Sequence, residues 1–394
     1  MKRIGLLLLS LLFLNGIFAQ PTHEPFRFTD VKILPASKVK DQTRSSTCWS
    51  FSGISQLESE LLRIHPDHAP LLSEMWIVRH CYFDKAVKYM RLNGTNEIGP
   101  GGNTHDIYHV IKNYGIVPEE VYQGLNYGTE QHIHAELQAA VAAYMGAIVK
   151  NPNRTVSTAW QDGLNGILDA YLGEIPETFI YQGKQYTPES YAASLGLNWD
   201  DYVSITSFTH HPFYTSFAIE IPDNWLWGPS YNVPMEYFEQ VIDYSIDHGY
   251  TVTWSSDVSE TGFLFRNGFA VMPATKLDEM SGSDMARWTG LTADGLQSMT
   301  RTISGPVPER QVTQQERQLA FDNFQTTDDH GMVIVGTATD QQGNKFYKVK
   351  NSWGESNLYD GYFYVSPAFI NYKTISLMVH KEGVPPELRM KLGL

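Results

Sequence analysis

A glutamine stands six residues ahead of a cysteine in Asp41-Gln42-Thr43-Arg44-Ser45-Ser46-Thr47-Cys48-Trp49-Ser50-Phe51-Ser52, and the cysteine opens a segment with helical periodicity. Phe51, Ile54, Leu57 and Leu61 recur at three- and four-residue steps. That spacing predicts an amphipathic helix over 48–63 with one buried face. A thiol at a helix N-terminus faces the positive end of the helix dipole and unpaired N–H groups, which favour its thiolate. The side-chain amide of Gln42 is placed to help a backbone N–H hold a developing oxyanion. Such a thiol needs a base, which the rest of the chain must supply.

The chain of 394 residues is long enough for two lobes, and 42% hydrophobic with 18% charged residues describes a globular protein. Its net charge of −14, with no Lys/Arg run to offset it, argues against nucleic acid or an anionic membrane as partner. Lys2 and Arg3 precede an apolar run from Gly5 to Leu14, and Ile17-Phe18-Ala19 ends in a small residue. This reads as a secretory signal peptide over 1–19, cut after Ala19, so an exported protein, periplasmic or extracellular, is expected. No later run is long enough to span a membrane. Cys48 and Cys81 are the two cysteines. A bridge between them would silence the nucleophile, so Cys81 is read as a buried free thiol in a helical segment.

Residues 20–47 read as an extended lead-in. Helices are expected over 71–90, 104–114 (stopped by Gly115), 134–150 and 156–172, with the tight glycine loop Ile98-Gly99-Pro100-Gly101-Gly102-Asn103 between the first two. From about Ser204 the texture changes to short β-branched or aromatic runs over 216–221, 250–256, 268–272, 332–337, 346–351 and 361–365, with a helix at 236–247. The polar stretch 301–318 reads as a surface loop with a short helix. Helices followed by strands argue an α+β fold, a helical lobe over about 38–203 packed on a strand-rich lobe over about 204–380, with a tail at 381–394.

Two further places complete a chemical set with Gln42 and Cys48. His330 sits in Asp328-Asp329-His330-Gly331-Met332-Val333-Ile334-Val335-Gly336, at the entry of an apolar strand. Asn351 lies in Lys350-Asn351-Ser352-Trp353-Gly354, where its amide oxygen can orient an imidazole and Trp353 can shield that bond from water. Taken together, these residues resemble the papain superfamily of cysteine peptidases, and within it the bleomycin hydrolase and aminopeptidase C branch. The similarity extends through Tyr114-Gly115-Ile116-Val117-Pro118, Tyr171-Leu172-Gly173-Glu174-Ile175-Pro176-Glu177-Thr178-Phe179, Asp257-Val258 and residues 379–385, covering about 38–390.

The resemblance implies a two-lobed papain-like fold with the active-site cleft between the lobes. It assigns Cys48 as nucleophile, His330 as base, Asn351 as its orienting partner and Gln42 to the oxyanion hole. Gly101 and Gly102 would pair with an extended peptide or protein substrate, with Trp353 beside them; no metal or organic cofactor is implied. The branch is a self-compartmentalised homo-hexamer whose C-terminal arm binds the substrate's free amine and makes it an aminopeptidase. This chain differs in carrying an export signal and in ending ten residues after Val384. An aminopeptidase is therefore the first expectation. An endopeptidase with an open cleft is the alternative, and a non-catalytic peptide-binding protein a third reading. The aromatic segments His210-His211-Pro212-Phe213-Tyr214 and Trp225-Leu226-Trp227 read as packed insertions in the strand-rich lobe. If His210 and His211 lie in a strand they face opposite sides, a poor metal pair.

Overall fold

The computed structural model describes residues 24–67, 69–153, 155–274 and 303–394. The signal segment and part of the 301–318 stretch lie outside them. The first helix, α1 (Cys48–Ile64), runs between two layers. On one side are α2 (Glu74–Arg91), α3 (His105–Tyr114), α4 (Ala135–Val149), α5 (Ala159–Leu172) and α6 (Pro188–Ser194). Ser73 caps α2 by accepting from the Trp76 N–H at 2.9 Å, so that helix starts three residues later than its apolar pattern suggested. Gly115 ends α3 with φ of 69°, a conformation that favours glycine.

On the other side, apart from the separate hairpin β2 (Phe179–Tyr181) and β3 (Lys184–Tyr186), stands a twisted sheet of eleven strands among the described residues, with β5 (Ser216–Ala218), β6 (Pro229–Asn232), β8 (Phe263–Leu264) and β9 (Phe269–Ala270) towards its margins. Its centre is the order β4 (Tyr202–Thr206), β13 (Thr374–His380), β7 (Val252–Ser256), β10 (His330–Asp340), β11 (Lys345–Lys350) and β12 (Tyr362–Val365). β10 pairs antiparallel with both β7 and β11, and the lead-in strand β1 (Phe28–Ile33) adds to its far half. The outer face is covered by α7 (Tyr237–Asp247), α8 (Gln314–Asp322), α9 (Pro367–Lys373) and α10 (Pro386–Leu392). This is the α+β, two-lobed architecture expected, with one apolar core among the helices and another between sheet and outer helices.

Several local expectations change. Residues 48–63 were expected to bury one face, yet Trp49 through Leu61 are all buried. The helix is the partition between the lobes, and its polar stripe is satisfied there rather than by water. Gln56 donates to the carbonyls of Thr251 and Met378 and accepts from the Tyr108 and Thr253 hydroxyls. Strand 216–221 shortens to Ser216–Ala218, and 268–272 to the two residues Phe269–Ala270, because Val271 N–H leaves the ladder for Gly262 O. The described part of 301–318 is not all surface. α8 starts on a capping box at Thr313 and Glu316, and Arg317 is fully buried. Its guanidinium donates to the carbonyls of Ser207, Asn371, Tyr372 and Thr374 and packs on the rings of Phe208 and Phe238. Burial pulls its pKa down to about 9.

His210 and His211 lie in a turn rather than a strand. Both rings therefore reach one carboxylate, with Nε2 atoms 3.1 and 3.0 Å from the two oxygens of Glu220. Of the aromatic insertion, Trp225 packs into the helical-lobe core and Trp227 stays exposed beneath Lys88. Replacing Arg317 by Met leaves several buried carbonyls unpaired and should cost about 3–5 kcal/mol in urea unfolding, with the m-value unchanged. A loss under 1 kcal/mol would mean that water reaches those carbonyls in the folded state.

Candidate active site

The site forms where the first turn of α1 meets the start of β10. Gly331 makes this approach close. A Cβ there would fall 2.7 Å from Ser52 Oγ and 3.3 Å from Trp49 Cα. The Gly331 and Trp49 N–H groups both point to the Cys48 sulfur. His330, one residue earlier on the strand, is thereby carried to the nucleophile. Its register partner on β7 is Ser256.

The His330 ring is held on two sides. Nε2 lies 2.7 Å from Asn351 Oδ1, and the indole of Trp353 stacks on the ring at 4.6 Å between centroids. Asn351 Oδ1 also accepts from the Ser352 N–H at 2.8 Å, which fixes the amide's orientation. Because Oδ1 can only accept, Nε2 carries the ring proton and Nδ1 is left unprotonated as the available base. Burial pushes the Cys48 thiol up to about 12 and the His330 imidazole down to about 4. Each group alone is therefore neutral at pH 7. Charge appears only when the proton moves from one to the other, so the two charges arise as an adjacent pair.

Gln42 is aimed by a residue not singled out in sequence. Ser352 Oγ donates to Gln42 Oε1 at 2.7 Å, and Ser352 O accepts from the Gln42 N–H at 2.9 Å. With the amide oxygen occupied, Nε2 is the free end, and it donates. The loop from Gln42 to Cys48 passes through left-handed backbone at Thr43 and Ser46 (φ 48° and 57°). It is pinned by exchange of backbone bonds between Arg44 and residues 132 and 134. Ser352 was within reach of sequence reasoning as the neighbour of Asn351; its pairing with Gln42 was not.

Gly101 and Gly102 lie across the cleft. Trp49 Nε1 donates to Pro100 O at 3.0 Å, and buried Lys85 donates to the carbonyls of Gly99 and Gly101. A Cβ at Gly102 would fall 2.6 Å from both the Trp49 ring and the Asp106 carboxylate, so only glycine fits. Cys81 is a buried free thiol in α2 and Cys48 is also free, as expected. All seven residues expected at the site, Gln42, Cys48, Gly101, Gly102, His330, Asn351 and Trp353, are thus placed around one cleft end. Asp223, which the sequence did not point to, joins them from the 219–228 loop.

Ser352→Ala frees the Gln42 amide to rotate. It should lower kcat about tenfold with KM little changed, while Gln42→Ala should lower it about 100- to 1000-fold. Equal effects on kcat and KM in Ser352→Ala would mean the hydroxyl serves binding instead.

Comparison with known proteins agrees with this geometry. Residues 27–163 match the papain family cysteine protease, and residues 308–393 match the peptidase C1-like family. Aminopeptidase G of Lactobacillus delbrueckii subsp. lactis is 22% identical over 89% of this chain and 82% of its own. Aminopeptidase C of Streptococcus thermophilus is 21% identical over 90% and 82%. The crystal structure of PepW from Lactobacillus rhamnosis HN001 superposes with a TM-score of 0.70 at 19% identity, covering 93% of this chain and 84% of that one. The motif-bearing segments, the two-lobed fold and the whole-length relatives agree: the chain belongs to the papain-like cysteine peptidases, in their aminopeptidase C and bleomycin hydrolase branch.

Proposed function

We propose that this cysteine peptidase is an exported aminopeptidase that releases N-terminal residues through an acyl-enzyme on Cys48. The observation that carries the chemistry is the 2.7 Å bond from His330 Nε2 to Asn351 Oδ1, because it leaves Nδ1 free to take the thiol proton. As the sulfur attacks the scissile carbonyl, negative charge grows on its oxygen. The Cys48 N–H at the start of α1 and the Gln42 Nε2 amide stabilise that charge. His330 then gives its proton to the leaving amine and afterwards takes one from the water that cleaves the thioester.

Whole-length similarity to aminopeptidases supports cleavage at a free N-terminus. Export rests on the signal pattern over 1–19, and Edman sequencing of secreted protein should read Gln20 first. In this reading residues 381–394 do not supply the amine-binding group. α10 buries Leu388 and Leu392 in the core under the sheet, and Lys391 bonds the Tyr237 hydroxyl of α7.

The test compares an aminoacyl-peptide with its N-acetylated twin, using the full chain and a version lacking residues 389–394. A thiol-reagent-sensitive activity that is at least 100-fold higher on the free amine is expected in both. Truncation should lower stability by about 2 kcal/mol through loss of Leu392. Equal rates on the two peptides would establish the endopeptidase reading instead. Loss of discrimination on truncation would return the amine site to the tail.

A further inference from the structure

We propose that Asp223 and Asp328 together bind the α-ammonium group of the substrate's N-terminal residue; this rests on the aminopeptidase reading and names its specificity device. The α-nitrogen of that residue is only about 2.5 Å from the scissile carbonyl carbon, so its anchor must lie close to the nucleophile. Asp223 and Asp328 are the two carboxylates whose charges reach the Cys48 thiol, and Asp223 also acts on Asp328. Asp328 is two residues ahead of His330 on the approach to β10, and Asp223 comes from the opposite side of the cleft.

Asp223 also occupies the glycine loop. It accepts the Gly102 N–H, and a Cβ on Gly101 would fall 2.3 Å from its Oδ1. Gly102 is the backbone position that an extended substrate upstream of the scissile residue would use. With its N–H taken and the space over Gly101 filled by a carboxylate, a residue preceding the N-terminal one has nowhere to pair. The same group thus blocks a longer chain and attracts a terminal amine.

The pair is also short of a cation. Among the described residues Asp328 has no hydrogen-bond or ion-pair partner, whereas its neighbour Asp329 is engaged by Thr327 and the Val258 N–H. Lys85 helps offset Asp223, but its ammonium is committed to the Gly99 and Gly101 carbonyls. Burial, then the charges of Asp223 and Asp329, push Asp328 up to about 8, and burial, with Glu97 adding to it, raises Asp223. An arriving ammonium relieves that repulsion and leaves both carboxylates ionised.

Both aspartates line a cavity of ≈ 450 Å³ whose walls include Ile221, Pro222, Phe321 and Phe324. Thr326, only 2% exposed, lines the same cavity with a hydroxyl that has no hydrogen-bond partner. An unmet hydroxyl, apolar walls and the carboxylates of Asp223 and Asp328, with Glu220 and Asp322 also on the lining, describe a receptor for a charged end carried on an apolar body.

The experiment measures kcat/KM of wild type, Asp223→Asn, Asp328→Asn and the double variant on three substrates. These are leucyl-aminomethylcoumarin, its N-acetyl derivative, and acetyl-arginyl-leucyl-aminomethylcoumarin. Unchanged circular dichroism and melting temperature establish that each variant is folded. On the free-amine substrate each single variant should lose roughly 10- to 100-fold, mostly in KM, while hydrolysis of N-acetyl-leucyl-aminomethylcoumarin holds or rises. Equal losses on both would overturn the proposal in favour of a structural role, and no loss on either would overturn it outright. A preference for the arginyl substrate that disappears in the variants would assign the pair to a basic side chain, again overturning it. A wild type that hydrolyses free and acetylated leucyl substrates equally would defeat the aminopeptidase reading before any variant is compared.

Discussion

The site depends on one close contact, the first turn of α1 against the first residues of β10. Gly331 makes room for it, and the Cys48 sulfur receives N–H groups from both sides of it. Because α1 is buried on every side, its N-terminus cannot shift without moving both lobes. Rigidity is what a proton transfer between thiol and imidazole needs, since a small misplacement is costly. The polar stripe of α1, with Gln56 bonded to strands β7 and β13 and to Tyr108, locks the helix to each lobe.

Around that contact, the Asn351-Ser352-Trp353 turn performs three tasks with adjacent residues. Asn351 fixes the imidazole tautomer, Ser352 aims the Gln42 amide, and Trp353 covers the ring. A short turn after β11 therefore couples the base to the oxyanion site. Burial keeps thiol and imidazole neutral when considered singly, so the low-dielectric cleft strengthens the pair at the moment its charges form. Burial likewise raises the carboxyls of Asp223 and Asp328, the pair proposed to receive the substrate's ammonium group.

Much of this was legible in the sequence where chemistry is local. Gln42 and Cys48 lie in one segment, and Asn351 beside Trp353 in another; each residue type is dictated by its task. The helices over 48–63, 104–114, 134–150 and 156–172 were read from period and glycine stops. The strands Tyr202–Thr206 and Thr374–His380 were not, since strands buried on both faces carry no alternation to read. The serines and glutamine of α1 looked like a solvated face, and Arg317 like surface, because a sequence cannot show that carbonyls from distant segments converge on them. Asp223 was hidden for the same reason: its meaning comes from lying over Gly101, which only the fold decides.

The most direct measurement is peptide mapping after limited alkylation of the folded protein with iodoacetamide, taken in step with residual aminopeptidase activity. Modification of Cys48 at one equivalent, with activity falling in proportion and Cys81 unlabelled, is the result predicted by a thiol at the α1–β10 contact. Full activity with Cys48 alkylated would contradict the account at its centre.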